Sequence, residues 1–218
     1  IPYVLGTVGN STIEDVTYKD ELKVGGDVKL GLSSSLNLDL TLNPDFSQVD
    51  VDRQVANLTR FELFFPERRQ FFLENADLFS SFGYETIRPF FSRRIGLGVP
   101  IIAGARVSGN LNKNLRLGLM DMQTDKVDET GLPSQNFAVL SLQQKVFSRS
   151  NIGLMFVNKE SLDYNALTDE QKTEYTRFNR NLGLEYHLAS SDNKYTGKLF
   201  MLKSFGPDDS YNGIAQGA

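Results

Sequence analysis

Hydrophobic and polar residues alternate with a period of two along most of this chain. The clearest example is residues 28–42, where valine or leucine occupies every second position on both sides of a three-serine turn at residues 33–35. Such alternation predicts a β-hairpin whose strands have one apolar and one polar face. Further strands are predicted at residues 2–9, 101–108, 115–119, 138–146, 152–156, 182–188 and 195–204. The chain is therefore predicted to be all-β, with a polar connection at residues 10–23.

The connections between these strands alternate in length. Long connections are predicted at residues 10–23, 43–100, 124–135, 159–177 and 205–212, and short ones at 33–35, 110–114, 148–151 and 190–194. Antiparallel up-and-down strands with tight turns at one rim and long connections at the other are typical of outer-membrane β-barrels. A soluble β-sandwich with Greek-key crossings has no reason to keep this parity, but a sandwich that serves as a binding module stays open as an alternative.

The length of the strands supports the membrane interpretation. Residues 137–147, 178–189 and 195–204 each supply about the 9–11 residues that cross a bilayer as a tilted strand, whereas strands of globular sheets usually have ~5–6. We therefore predict an antiparallel up-and-down transmembrane β-barrel in the bacterial outer membrane, surrounded by outer-membrane lipid. Residues 1–218 are expected to form a single, partial, N-terminal portion of the barrel, since the last strand is not completed.

Composition excludes several other classes of protein. The formal net charge of −4 and the pI near 5.1 leave no basic surface for nucleic acid, so no nucleic-acid partner is expected. Cysteine is absent, which removes disulfides, thiolate metal sites and cysteine nucleophiles. No apolar run approaches the ~20 residues that a membrane-spanning helix needs. No cofactor is predicted.

Residues 43–98, which we call the central segment, interrupt the alternation. This segment is dense in phenylalanine and in charged residues, a mixture that predicts ordered structure with paired charges, because disordered segments are poor in aromatics. Its charges are expected to pair with a polar wall of the sheet that includes Lys29, Asp39, Arg106 and Arg116. The paired phenylalanines at residues 64–65 and 71–72 are expected to form a small core of their own.

Candidate catalytic chemistry is sparse. Carboxylates for glycoside hydrolysis are available at Asp50, Glu62, Glu67 and Glu74, but nearby arginines favour salt bridges, and we predict no catalytic residues. A surface-associated hydrolase that acts on carbohydrate or envelope polymer is the alternative function. His187 is expected to be a polar residue that faces the lumen, since no second ligand or nucleophile accompanies it.

Two smaller motifs complete the candidates. Asp45, Asp50 and Asp52 lack the glycine and the terminal glutamate of a known calcium loop, so no metal site is predicted there. The sequence from Thr168 to Gln171 fits a capping box and predicts a short helix within residues 159–177.

A series of short motifs in the central segment resembles one family. They are LNPDFSQVD at residues 42–50, NLTRFE at 57–62, FFPERR at 64–69, FFLE at 71–74 and FSRRIG at 91–96. They resemble uncharacterised Bacteroidota-type proteins in which an outer-membrane β-barrel follows a family-9-like carbohydrate-binding module, sometimes labelled membrane-associated hydrolases. The resemblance is strongest over residues 36–96 and weak beyond residue 109. No catalytic residues are established for that family, so the hydrolase label is not carried over.

The resemblance implies that the central segment is a plug inside the barrel or a lid over its mouth. The implied function is transport, or a structural and assembly role with other envelope proteins in a larger complex. Partial burial of the arginines at residues 68, 69, 93 and 94 is expected for a plug. The residues assigned to the plug or lid are Asn43, Pro44, Asp45, Phe46, Arg60, Glu62, Phe64, Phe65, Pro66, Glu67, Arg68, Arg69, Glu74, Arg93 and Arg94.

Overall fold

The computed structural model describes residues 2–7, 21–44, 65–84, 86–128 and 131–218. Ten strands in this part of the chain form one sheet. They are β1 (Pro2–Thr7), β2 (Glu21–Gly31), β3 (Leu36–Leu42), β4 (Ile101–Asn110), β5 (Leu115–Thr124), β6 (Gln135–Val146), β7 (Ser150–Ser161), β8 (Phe178–Ala189), β9 (Thr196–Phe205) and β10 (Gly213–Gly217). Each strand pairs antiparallel with its neighbour in sequence, from β1 to β10. The predicted all-β, up-and-down architecture is therefore confirmed.

The sheet has two edges. β1 and β10 are the first and last strands in the order, so the described strands do not close into a barrel. Short helices interrupt the connections: α1 (Gln70–Leu73), α2 (Asp77–Ser80) and α3 (Asp169–Glu174), with 3-10 turns at Ser92–Arg94, Tyr164–Ala166 and Asp209–Tyr211. None of the helices in the described ranges is both long and apolar enough to span a membrane.

Connection length alternates as the sequence predicts. Residues 32–35, 111–114, 147–149 and 190–195 form tight turns, and the longer connections lie at the opposite ends of the strands. The central segment leaves β3 and enters β4 at the rim with the long connections. Within residues 162–177, α3 begins with the predicted capping box, in which Thr168 and Gln171 each accept a hydrogen bond from the other's backbone N–H.

Two strand boundaries differ from the prediction. β2 begins at Glu21, inside the stretch predicted as a polar connection, and pairs with the whole of β1. β5 continues past residue 119 to Thr124, because Asp121 and Gln123 interrupt the apolar pattern without interrupting the hydrogen-bonded ladder with β4 and β6. Polar side chains do not end a strand whose backbone N–H and C=O groups are hydrogen-bonded to both neighbouring strands.

The two faces of the sheet have different surroundings. One face, which we call the segment face, contacts the central segment; Gly183 and Glu185 of β8 lie on it. The other, which we call the open face, is exposed over much of its area. Its exposed apolar residues include Val28, Leu30, Leu40, Leu42, Leu119, Ile152, Leu182, Leu184, Leu188, Leu199, Met201 and Ile214.

The open face is organised in rows that cross the strands. The ladder register aligns the apolar row Leu119, Leu140, Phe156 and Leu182, and next to it Leu117, Leu142, Leu154, Leu184 and Met201. On β5 to β8 the neighbouring row towards the long connections is more polar, with Asp121, Ala138, Asn158 and Arg180. Arg180 donates to Asn158 there at 2.8 Å. On β3 and β9 the same row contains Leu40 and Phe205, so the apolar band has a polar border only on β5 to β8.

Candidate functional site

The central segment crosses the segment face of the sheet in strand order. Residues 74–84 make contacts with successive strands from β2 to β9. Glu74 bonds to β2 and β3, Asp77 to β5, Leu78 to β6, and Gly83 and Tyr84 to β8 and β9. One short stretch of chain thus connects most of the sheet.

The first contact is an ion-pair network on β2, β3 and β4. Glu74 accepts from the Lys29 ammonium group and from Asn37 Nδ2, the latter at 2.7 Å. Arg106 Nη2 lies 2.8 Å from Asp39 Oδ2 and 4.0 Å from Glu74 Oε2. The hydrogen bond from Lys29 lowers the pKa of Glu74, with smaller contributions from Asn37 and Arg106.

Arg106 is the most deeply buried charged residue of this network, at 2 % exposure. Its Nη1 donates to the Glu74 carbonyl at 2.9 Å, and its guanidinium carbon lies 5.2 Å from the centre of the Phe71 ring. A buried guanidinium is stable only when its charge is paired and its donors are bonded. Asp39 and the Glu74 backbone meet most of that requirement, so strand and segment depend on each other here.

The second contact is made by the start of α2. Asp77 and Arg116 form a two-pronged salt bridge, with N···O distances of 2.6 and 3.2 Å. Asn75 donates to Ser108 Oγ at 3.1 Å, and the Ser141 hydroxyl donates to the Leu78 carbonyl at 2.5 Å. Three side chains of the sheet thereby bind the backbone or polar groups of one helical turn.

Two glycines of the sheet receive aromatic rings of the segment. A Cβ placed on Gly118 of β5 would lie 2.8 Å from Phe79 Cζ, and one on Gly183 of β8 would lie 2.3 Å from Phe82 Cζ. Both distances are too short for real carbon contacts, so only glycine accommodates the rings. The absence of a side chain at these two positions lets Phe79 and Phe82 lie directly on the backbone of the sheet.

A buried carboxylate forms the third polar contact. Glu185 of β8 is 3 % exposed, and its Oε2 accepts from the Gly83 N–H at 3.1 Å and lies 3.1 Å from Lys198 Nζ. Lys198 also donates to the carbonyls of Ser81 and Gly83. His187 lies on the same face, with Nε2 2.9 Å from Glu185 Oε1. His187 therefore supports Glu185 rather than a metal or a nucleophile.

Hydrogen bonds and an ion pair within the segment also stabilise it. The Arg69 guanidinium donates to both carboxylate oxygens of Glu67 at 2.8–2.9 Å and to the carbonyls of Ser92 and Ile95 at 2.6 Å. The Ser92 hydroxyl donates to Glu67 at 2.6 Å. Burial alone would raise the pKa of Glu67, but these hydrogen bonds and the Arg69 charge outweigh it and lower that pKa to about 2.

Apolar packing joins segment and sheet into one core. Phe72, Leu78, Phe79, Phe82, Phe90 and Ile95 of the segment are buried in the same cluster as Met120, Met122, Val139, Met155, Phe200 and Leu202 of the sheet. The prediction that residues 71–72 form a separate small core is wrong, because Phe72 packs within this shared cluster. Apolar residues of β5, β6, β7 and β9 line the segment face, so the predicted polar wall is limited to part of it.

The residues assigned to the plug or lid have different environments. Arg69 is buried, Arg93 is half-buried, and Arg68 and Arg94 are exposed. Phe65 is half-buried, and the Pro66 carbonyl accepts from Arg93 at 3.3 Å. Pro44 is half-buried at the end of β3. Five assigned residues lie outside the described ranges: Asp45, Phe46, Arg60, Glu62 and Phe64.

Asn43 connects three strands at the rim where the segment begins. Its backbone has φ of 45°, its N–H donates to Ile102, and its Nδ2 donates to Val24. Its carbonyl accepts from the Tyr3 hydroxyl at 2.9 Å. Asparagine tolerates left-handed backbone better than most residues and supplies the extra donor, so this motif position has a structural explanation.

The described groups do not form a hydrolytic or metal-binding constellation. Glu67 and Glu74 have lowered pKa values and are paired with cations, so neither is a proton donor near neutral pH. No group of three or more metal-ligating side chains occurs among the residues with described positions. Asp50, Asp52 and Glu62, the other acidic candidates, lie outside them.

Sequence reasoning missed several residues of the interface, including Asp77, Gly118, Ser141, Gly183 and Lys198. Glu185 lies within a predicted strand, but its burial against the segment is not predicted. The available signal was a glycine or a charge at the inward position of an otherwise apolar strand, which marks a site of close approach.

Comparison with known proteins gives one family. A family model described as a domain of unknown function, DUF5916, matches residues 1–114. No curated protein and no solved structure matches the chain. The matched residues are more than half of the 218 and include β1 to β4 and the whole central segment, so the protein belongs to the DUF5916 family.

Proposed function

We propose that the protein is part of the wall of a bacterial outer-membrane β-barrel and that residues 65–98 occupy its lumen as a plug. The expected role is transport, or a structural role in an envelope complex. The observation that carries the proposal is the distribution of polarity on the sheet. Leucines are exposed on the open face, whereas Arg106 and Glu185 are buried on the segment face. This distribution suits a wall with lipid outside and an interior that is filled by the segment and holds buried, paired charges.

The open face is difficult to reconcile with water as its only environment. Soluble monomers rarely expose a continuous apolar patch larger than a few hundred Å². Along β8 alone, Leu182, Leu184, Tyr186 and Leu188 share this face over about 20 Å, at ~3.3 Å per residue. The apolar band of outer-membrane barrels is ~25 Å tall.

The borders of the band support the same proposal. Phe147 and Tyr195, at neighbouring short turns, are 86 % and 70 % exposed. Phe147 has φ of 55°, a conformation that favours glycine or asparagine over a bulky residue. An exposed aromatic at such a position is favourable at a membrane–water interface, where aromatic rings concentrate.

The path of the segment favours a curved sheet. From β2 to β9 there are seven strand spacings, about 34 Å in a flat sheet at ~4.8 Å each. Residues 74–84 span at most about 26 Å, because α2 rises only ~1.5 Å per residue. A sheet that is concave toward the segment brings both ends within reach of side chains, as the inside of a barrel wall would.

The test is a pair of charge substitutions on the open face. Leu184→Arg, in the apolar band, is expected to lower the free energy of unfolding in lipid vesicles by about 2–4 kcal/mol. Asp121→Arg, on the same face in the polar row, is expected to lower it by less than about 1 kcal/mol. The measurement is urea-dependent folding into vesicles. Equal small effects, with a protein that stays monodisperse in detergent-free buffer, would favour the soluble binding module.

A further inference from the structure

A cavity of about 220 Å³ lies between the central segment and the sheet. α1, α2 and residues 90–92 form its walls on one side, and Arg106 and Met120 line it on the side of the sheet. Most of its lining is aromatic or aliphatic and includes Phe72, Phe79 and Phe90. An apolar cavity of about 150 Å³ is already large enough to bind benzene, so this one accommodates a substituted benzene ring.

Arg106 lines this cavity and has one hydrogen-bond donor without a partner. Its Nη1 and Nη2 bond to the Glu74 carbonyl and to Asp39, but its Nε is buried without a partner in the part of the chain that the structure describes. A buried donor on a charged group is unfavourable when its hydrogen bond is not made. An acceptor oxygen on a molecule in the cavity would complete the guanidinium's bonding.

The charges around the cavity are already balanced. Each nearby cation has a carboxylate partner; the pairs are Lys29 with Glu74, Arg106 with Asp39 and Arg69 with Glu67. An ionic ligand would add an unpaired charge to a buried site, which is strongly unfavourable. The ligand chemistry that fits is therefore neutral.

We propose that this cavity binds a small neutral molecule with an aromatic or compact aliphatic body and one acceptor oxygen, which bonds to Arg106 Nε–H. Ser80, Ser92 and Glu67 also line the cavity, but Ser80 donates to the Ala76 carbonyl and Ser92 donates to Glu67, so Arg106 is the group that recognises the oxygen. The cavity is formed by the packing of the segment against the sheet, so the proposal does not depend on whether lipid or water contacts the open face.

The test compares two probes of the same shape. Acetophenone has a carbonyl oxygen where α-methylstyrene has a CH₂ group, so only acetophenone accepts a hydrogen bond. The chain has four methionines, and their ¹³C-methyl signals report on different places. Met120 lines the cavity, whereas Met201 lies exposed on the open face and reports non-specific partition.

In the folded full chain, acetophenone is expected to shift the Met120 signal saturably and to bind about tenfold more tightly than α-methylstyrene. Met201 should show no saturable shift. Ala76→Leu, which adds a side chain at the cavity wall, is expected to abolish the saturable Met120 shift while the Met122 signal keeps its dispersion. The proposal is overturned if neither probe saturates Met120, if both bind equally, or if a folded Ala76→Leu protein binds acetophenone unchanged.

Discussion

Leu184 and Glu185 are neighbours in β8, but the leucine is 49 % exposed and the glutamate 3 % exposed. In a soluble protein a leucine is usually more buried than a glutamate, so the opposite exposures would be expected. The glutamate is buried because Lys198 and the Gly83 N–H satisfy its carboxylate. The leucine has no such packing partner from the central segment. The segment face, rather than the open face, therefore holds this fold together.

The buried ion pair on the segment face gives the largest expected effect. Arg106→Met leaves Asp39 buried without its closest cation and should lower the free energy of unfolding by about 3–5 kcal/mol. Arg116→Met is the matched control, because the Arg116–Asp77 pair is partly exposed, and it should lower that free energy by less than about 1 kcal/mol. Urea unfolding measures both. Equal losses would mean that the buried pair does not hold the segment.

The glycine contacts give the next largest effect. Gly183→Ala places a Cβ against Phe82 and is expected to destabilise the protein by about 1–3 kcal/mol through overpacking. Gly197→Ala in β9 is the control, since a Cβ there meets no atom within 4 Å, and it should be near neutral. Combining Gly183→Ala with Phe82→Leu should recover part of the loss. If the Gly183→Ala protein is as stable as the Gly197→Ala protein, Phe82 does not pack against Gly183.

The Glu67 carboxylate makes stability depend on pH in the acid range. Its folded pKa is about 2 against an ordinary 4.5, so its stabilisation is complete above about pH 4.5 and is lost as the pH falls toward 2. Glu67→Gln should therefore lower the free energy of unfolding by about 1–2 kcal/mol at pH 7. That deficit should shrink below pH 4.5.

The control for Glu67 is Glu170→Gln on the exposed surface of α3, for which a loss of only about 0.3 kcal/mol at pH 7 is expected, from its position in the first helical turn. Denaturant titrations at pH 7, 4 and 3 give the comparison. A Glu67→Gln deficit that stays constant across this range would show that the carboxylate's charge is not what stabilises the segment.

The smallest expected effect concerns the turn at Phe147. Phe147→Asn removes a bulky side chain from left-handed backbone, so the free energy of unfolding in detergent should rise by up to about 1 kcal/mol. If the ring contacts the membrane interface, the same variant should insert into vesicles more slowly than the parent protein. Faster or equal insertion would contradict a contact between the exposed Phe147 ring and the membrane interface.

Much of the fold was predictable, because alternation and connection length are local properties of the sequence. The segment face was less predictable. In β9, Leu199 and Met201 face outward while Phe200 and Leu202 are buried against the segment, so both faces are apolar and the alternation disappears. The helices α1 and α2 have four residues each, too few for a helical period to emerge.

The site was predictable only in part. Lys29, Asp39, Arg106 and Arg116 were identified as a polar wall, because charges at alternate strand positions share one face. Their pairing with Glu74 and Asp77 depends on how the segment crosses the sheet, which no local pattern encodes. The contact between Glu185 and Gly83 joins residues about a hundred positions apart and follows from strand register.

The central claim is that the open face contacts lipid and the segment face does not. The chain has no tryptophan, so Leu182→Trp and Asn181→Trp each give a single fluorophore. These neighbours in β8 point to opposite faces at nearly the same depth. In vesicles that contain brominated lipid, the proposal predicts strong quenching of the tryptophan at 182 and little at 181. Equal quenching of the two, or quenching of the tryptophan at 182 only by aqueous acrylamide, would contradict it.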